Sequence, residues 1–305
     1  EYELIADIDA SETRNWNGGT GFNPIGTLAN PFVGKFNGNG HEITNLYINR
    51  PSMNYVGIFG YVESIGEVRN LGLDGCWIKG KEYVGGLVGL NRGTVVNCYS
   101  TTSMVGYPPV SISSYVGGLV GKNEGGVISD SYSTGDTYGA SYVGGFVGFN
   151  NKGIITNSYS VGDIGGVEDF IGGFVGINSG TITNSYSSGS VNGNGDNVGG
   201  FVGSNGYCND GGNFNGGMIS DSYSTGDVNG LKGYVGGFAG SNGYCNNAGN
   251  CIGGTISGSY STGVVIGAGD FVGGLVGNNG DGDCSQGKCY KGKVLNSSST
   301  GDVYG

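Results

Sequence analysis

The chain has 305 residues, of which 70 are glycine and only 12% are charged, with a formal net charge of −11. Its arginines (Arg14, Arg50, Arg69 and Arg92) all lie before residue 93, so no basic stripe exists to neutralise phosphates. This argues against nucleic acid as a partner and against a polybasic membrane anchor, and no apolar run approaches the roughly 20 residues of a membrane helix.

The opening (EYELIADIDAS) reads as part of a strand, and the end (GDVYG) as the start of another repeat. With no signal peptide visible, the expectation is a processed or truncated piece of a longer secreted protein. Residues 1–54 are assigned to N-terminal turns. Asp7 and Asp9 in the opening strand are a loose calcium candidate. His41, the single histidine, sits in the phrase NGNGHEITNL and reads as a turn residue; a multi-histidine metal site is excluded.

From Tyr55 a phrase of the form aromatic-V-G-G-[LF]-V-G returns through the chain. It begins at Tyr83, Tyr115, Tyr142, Phe170, Tyr234 and Phe271; Asn197 opens a copy without the aromatic, and Tyr55 opens one a residue shorter. Successive starts lie 27 to 37 residues apart. Repeats of this length are single supersecondary units that bury their apolar sides only by stacking. In the copy from Tyr142, three extended segments are expected: Tyr142 to Val147, Ile154 to Ser160, and one starting at Ile164. Turns are expected at Asn150–Gly153 and Gly162–Asp163. Alternation within the segments has a period of two, and glycine interrupts every window long enough for a helix.

Stacking the copies gives ladders. Val95, Ile128, Ile155, Ile182, Ile219, Ile256 and Val294 occupy one position, and Leu87, Leu119, Phe146, Phe174, Phe201, Phe238 and Leu275 another. Tyr99, Tyr132, Tyr159, Tyr186, Tyr223 and Tyr260 form a third column, with Ser298 in place of the last ring. Turns about 4.8 Å apart would bring like residues into contact and stack the rings. Asn91, Asn123, Asn150, Asn178, Asn205, Asn242 and Asn279 follow the first segment on successive turns and read as a structural ladder rather than a binding one. The fold class expected is all-β: a parallel β-helix, or β-solenoid, with about three short strands per turn. The crossover rule favours a right-handed coil without fixing it, and the chain is expected to form one domain over 1–305.

Residues 55–196 are regular, whereas 197–305 carry long insertions. Asn150 to Ile155 is a separation of five, but Asn205 to Ile219 and Asn242 to Ile256 are each fourteen, and Asn279 to Val294 is fifteen. Three loops should therefore stack on one edge, the usual place for a solenoid's binding face. Tyr207, Phe214, Tyr244, Tyr290, Lys288, Lys291 and Lys293 are the candidate binding residues there. A smaller insertion, Tyr107-Pro-Pro-Val-Ser, lies at another corner. Five of the seven cysteines fall in the long loops. They admit two schemes: Cys245–Cys251 with Cys284–Cys289 inside loops, or Cys208–Cys245 with Cys251–Cys289 between turns. Cys76 and Cys98 read as separate thiols. Zinc is a poorer fit, since the spacings are loose and no histidine is near.

Asp136, Asp163, Asp227 and Asp302 follow glycine at corresponding turns and read as solvated turn residues; Asp136 with Asp163, or Asp281 with Asp283, are the calcium candidates. No carboxylate pair stands apart from the repeat, no G-x-S-x-G elbow is present, and no phosphate loop opens a helix.

The pattern VGGLVGxNxGxIxNSYSTGxVxG resembles the GLUG repeat of large bacterial surface and secreted proteins, including filamentous-haemagglutinin-like adhesins. The preceding Phe32–Ile48 resembles the segment that often leads into such repeats. The resemblance implies a β-helix outside the cell and no single activity. Expected, then, is a non-enzymatic extracellular rod with no cofactor, calcium aside. Its partners would be copies of itself, another surface protein, or a glycan. Two alternatives stand beside this: a filament subunit, if both ends are uncapped repeat, and a carbohydrate-active β-helix enzyme.

Overall fold

A computed structural model describes residues 1–105, 114–208, 216–245, 251–280 and 289–305. Every paired strand runs parallel to its neighbour, apart from one antiparallel bridge near the N-terminus, and the registers follow the repeat. Val116 pairs with Val143, Tyr132 with Tyr159, and Ile155 with Ile182. The chain is a parallel β-solenoid.

Each turn crosses four sheets, one more than the sequence pattern predicts. In the turn from Ser141, the strand Ser141–Gly144 forms one wall and Val147–Thr156 a second. Tyr159–Ser160 forms a third and Ile164–Gly166 a fourth. The expected first segment thus breaks at the paired glycines. A Cβ on Gly144 would overlap the carbonyl of Val147, and one on Gly145 the carbonyl of Gly173, so backbone lies against backbone here. The expected turn at Asn150–Gly153 is a bulge within one long strand, where Lys152 takes φ +57°.

The walls enclose two apolar compartments. Phe146, Phe174, Phe201 and Phe238 run through the larger, fully buried, with adjacent centroids 4.8 to 4.9 Å apart. The valine and isoleucine columns flank them. The smaller holds Val143, Ile171, Val198 and Val235 against Ile164, Val191, Val228 and Val265. Serines tie the walls together between compartments: Ser160 Oγ donates to Gly173 O at 2.6 Å and Ser187 Oγ to Gly200 O at 2.7 Å.

Two aromatic columns lie on the outside. Tyr99 through Tyr260 stack with centroids 4.8 to 5.0 Å apart and planes within 6°. The column opened by Tyr55, Tyr83, Tyr115 and Tyr142 holds its residues at φ +55° to +62°. A left-handed conformation costs a bulky residue about 1–2 kcal/mol. Stacking at 4.5 to 4.9 Å and partial burial offset that cost.

The N-terminal segment is not an open repeat. A 3-10 segment, Ser11–Gly19, packs against the strand Tyr47–Asn49, with Thr13 Oγ1 accepting Tyr47 N–H at 2.9 Å. Gly21 then bridges Ile48 antiparallel, while Ile25 and Phe32 bridge Phe59 and Val62. Residues 10–34 therefore cover the outer edges of Tyr47–Asn49 and Phe59–Val62, while Tyr2–Glu3, Ile8–Asp9 and Asn54–Val56 stand last in their own sheets. An apolar cavity of about 370 Å³ remains between this cap and the first turn, lined in part by Leu4, Trp16, Phe36 and Ile43.

Candidate functional site

The asparagine column is the hinge from which the loops depart. Each Nδ2 donates to the Oδ1 of the next turn: Asn91 to Asn123, Asn123 to Asn150, Asn150 to Asn178 and onward to Asn279, at 2.8 to 2.9 Å. The same amides bond glycine carbonyls two or three residues on in the regular turns. A Cβ on Gly153 would strike Asn123 and Asn150, so the glycine is obligatory wherever the ladder passes. Asn91 through Asn242 are fully buried. They are scaffold, as expected.

Past Asn205 and Asn242 the chain leaves the coil. Gly206 and Gly243 take φ +99° and +96°, and a Cβ on either would come within 3.2 and 2.8 Å of Gly216 and Gly253 Cα, on the returning strand. Each loop therefore departs through a narrow glycine neck. The stems go on pairing outside the coil. Tyr207–Cys208 pairs parallel with Tyr244–Cys245, and Cys251–Ile252 with Cys289–Tyr290. Tyr207 thus stands opposite Tyr244, Tyr290 stands opposite Ile252 in the second pair, and Lys291 and Lys293 are exposed just beyond Tyr290. Phe214, Lys288, Asp281, Asp283 and Cys284, like the Tyr107 insertion, lie outside the described residues.

A change in the flank that sequence reasoning left unexplained accompanies the loops. The row beside the outer aromatics reads Tyr61, Leu90, Lys122, Phe149 and Ile177, then turns to Ser204 and Ser241. Both serines are fully buried; Ser241 Oγ donates to Ser204 Oγ at 2.9 Å, and Ser204 Oγ to Gly206 O. Asn197, which replaces the aromatic, is also fully buried, and neither its Oδ1 nor its Nδ2 meets a hydrogen-bond partner. At φ +63° asparagine is a milder choice than a ring. The aromatic phrase with its first letter missing was the sequence signal for this spot.

The turn aspartates have partners already. Asp136 Oδ1 accepts Asp163 N–H at 2.9 Å, Asp163 Oδ1 accepts Ser190 N–H at 2.8 Å, and Asp227 Oδ1 accepts Val264 N–H at 2.8 Å. Another carboxylate, Asp196, is pushed upward, first by burial and then by Asp169 one turn away, with Lys232 opposing. At the N-terminus, Asp7 is held below the usual carboxylate range, chiefly by Glu42 N–H and then by His41, whose Nδ1 lies 3.0 Å away. Asp9 is lowered first by Asn45 and then by Ser11. Cys76 and Cys98 are buried free thiols; burial raises both, Cys98 to about 12, so neither is a reactive thiolate. Among the described residues no three His, Cys, Asp or Glu side chains gather as a metal site.

Residues 112–138, 139–165 and 171–192 match the GLUG motif. It is a GLUG-motif repeat protein. The GLUG chain is 40% identical over 109 residues to halomucin of Haloquadratum walsbyi, an alignment covering 35% of this chain and 1% of halomucin. It is 43% identical over 99 residues to a putative Gly-rich membrane protein of Evansella cellulosilytica, covering 32% of this chain and 11% of that protein. The matched part is thus a small fraction of either relative. No solved structure matches the GLUG chain.

Proposed function

We propose that this chain is a non-enzymatic, extracellular structural module, a rigid rod at the cell surface whose stacked loops mediate attachment. The observation that carries this reading is that the repeated residues are consumed by the scaffold. Asparagines bond asparagines, rings stack on rings, and the turn aspartates bind backbone N–H groups. Specific recognition is left to the edge where the spacing lengthens. A relative named as a membrane protein and another named halomucin are consistent with a surface location. The partner would be a glycan or another surface protein. The occupied turn carboxylates weigh against a glycosidase pair among them.

The test compares the full chain with a variant in which 207–215, 244–252 and 281–290 are removed, which restores the regular separation of five. Both are screened against a glycan panel and against whole cells. Binding that disappears with the loops, at unchanged circular dichroism, supports the proposal. Binding that survives loop removal, or turnover of any polysaccharide, overturns it.

A further inference from the structure

We infer that the loop stems are stapled between turns by two disulfides, Cys208–Cys245 and Cys251–Cys289, and that Cys284 stays outside this pairing. On sequence alone the phrase NGYCN, repeated at Asn205–Asn209 and Asn242–Asn246, favours a Cys208–Cys245 stack, and this scheme competes with bridges inside each loop. Backbone register separates them. In the two small sheets built only from insertion stems, Cys208 stands directly opposite Cys245, and Cys251 directly opposite Cys289. Four cysteines thus fall into two in-register pairs, at the only two sheets outside the solenoid walls among the described residues. Paired parallel strands lie about 4.8 Å apart, inside the Cα separation of roughly 4.4–6.8 Å that a disulfide tolerates. A Cβ–Cβ distance near 3.8 Å asks the two backbones to lean together by about 1 Å. A two-residue stem with a glycine neck behind it can do this more readily than a wall strand: Gly206 and Gly243 already sit at φ near +100°. The wall cysteines offer a contrast, since Cys76 and Cys98 are free thiols buried in the core.

The chemistry is thiol–disulfide exchange with an oxidised small-molecule or protein disulfide, the class of oxidant found outside the cytosol. One stem thiolate attacks the donor disulfide to give a mixed disulfide. The opposing thiolate then displaces the donor's second sulfur. Two stem thiols are oxidised to one bridge, and the donor is reduced to two thiols that carry away the two protons. The staples would fix the spacing of the loops whatever those loops bind.

The protein is incubated with oxidised glutathione, denatured without reductant, alkylated, and mapped by mass spectrometry. Three of the seven cysteines (Cys76, Cys98 and Cys284) are expected to alkylate, and cross-linked peptides are expected for 208–245 and 251–289. Cys208→Ser decides between the schemes: it should free Cys245 and leave 251–289 intact, whereas bridges inside the loops would lose nothing. Peptides linking 245–251 or 284–289, seven alkylated thiols, or one equivalent of zinc protecting the same cysteines would each overturn the inference. Rapid proteolysis between 205 and 219 upon reduction, slowed on reoxidation, is the readout in the folded protein.

Discussion

Replacing Asn150 with alanine tests whether the buried asparagine column holds the turns together. Asn150 Nδ2 donates to Asn178 Oδ1 at 2.8 Å and to Gly153 O at 3.2 Å, and its Oδ1 accepts from Asn123 Nδ2 at 2.9 Å. Three bonds are lost, each worth about 1 kcal/mol net. The neighbours are not orphaned. Asn123 Nδ2 keeps Gly126 O at 3.0 Å, and Asn178 Oδ1 keeps Gly180 N–H at 3.1 Å, so the full penalty of an unpaired buried group does not apply. A void of amide size adds about 1 kcal/mol. The expected loss is about 4 kcal/mol. Asn197→Gly is the matched control. That side chain is equally buried but makes no hydrogen bond, and glycine suits its φ of +63°. Its expected change is within about 1 kcal/mol. Equilibrium unfolding in guanidinium, followed by far-ultraviolet circular dichroism and tyrosine fluorescence, measures both. Hydrogen exchange over 147–156 locates the damage if the probes diverge. Equal stability of the two variants, or greater damage from Asn197→Gly, would show that the asparagine column does not hold the turns together.

Gly153→Ala should cost at least about 2 kcal/mol, because its Cβ meets two rigid asparagines rather than a flexible side chain; a smaller shift in unfolding midpoint would refute the close fit. Asp196→Asn should raise stability at neutral pH. Its carboxyl is raised above the ordinary 3.8, so the folded chain holds more protons than the unfolded one above that pH. Stability accordingly falls as pH rises through the window, and a pH series of melts should show that slope flattened in the variant. Asp163→Asn should leave stability within about 0.5 kcal/mol, since an amide oxygen can still accept Ser190 N–H; a calcium-dependent rise in melting temperature lost in this variant would show a cation site instead.

The solenoid was legible because its period survives in the chemistry of single positions. Tyr132, Tyr159 and Tyr186 recur at constant spacing and pair in register, and the asparagine and phenylalanine columns do the same. The fourth wall was less legible. In Tyr142–Val147 the alternation of apolar residues runs on through Gly144-Gly145, whereas the backbone turns there because glycine lets two chains meet. The N-terminal cap left no signal, since residues 10–34 occur once and a ladder argument needs at least two copies. For the candidate site, the repeated phrase NGYCN already set Cys208 over Cys245, and the backbone register has those two residues opposite each other. The buried polar change at Asn197, Ser204 and Ser241 required knowing which rows lie side by side.

The direction of the inter-turn bonds has a mechanical consequence. Backbone hydrogen bonds and the asparagine chain both run along the rod, so tension between its ends loads them one turn at a time instead of shearing a whole sheet at once. Each regular turn that peels away frees 27 residues, the step from Val116 to Val143, and lengthens the tether by roughly 90 Å. Under steady pull such a rod would yield in equal steps and dissipate force at each one. The covalently linked turns of the last repeats would be the place where that stepwise release stops.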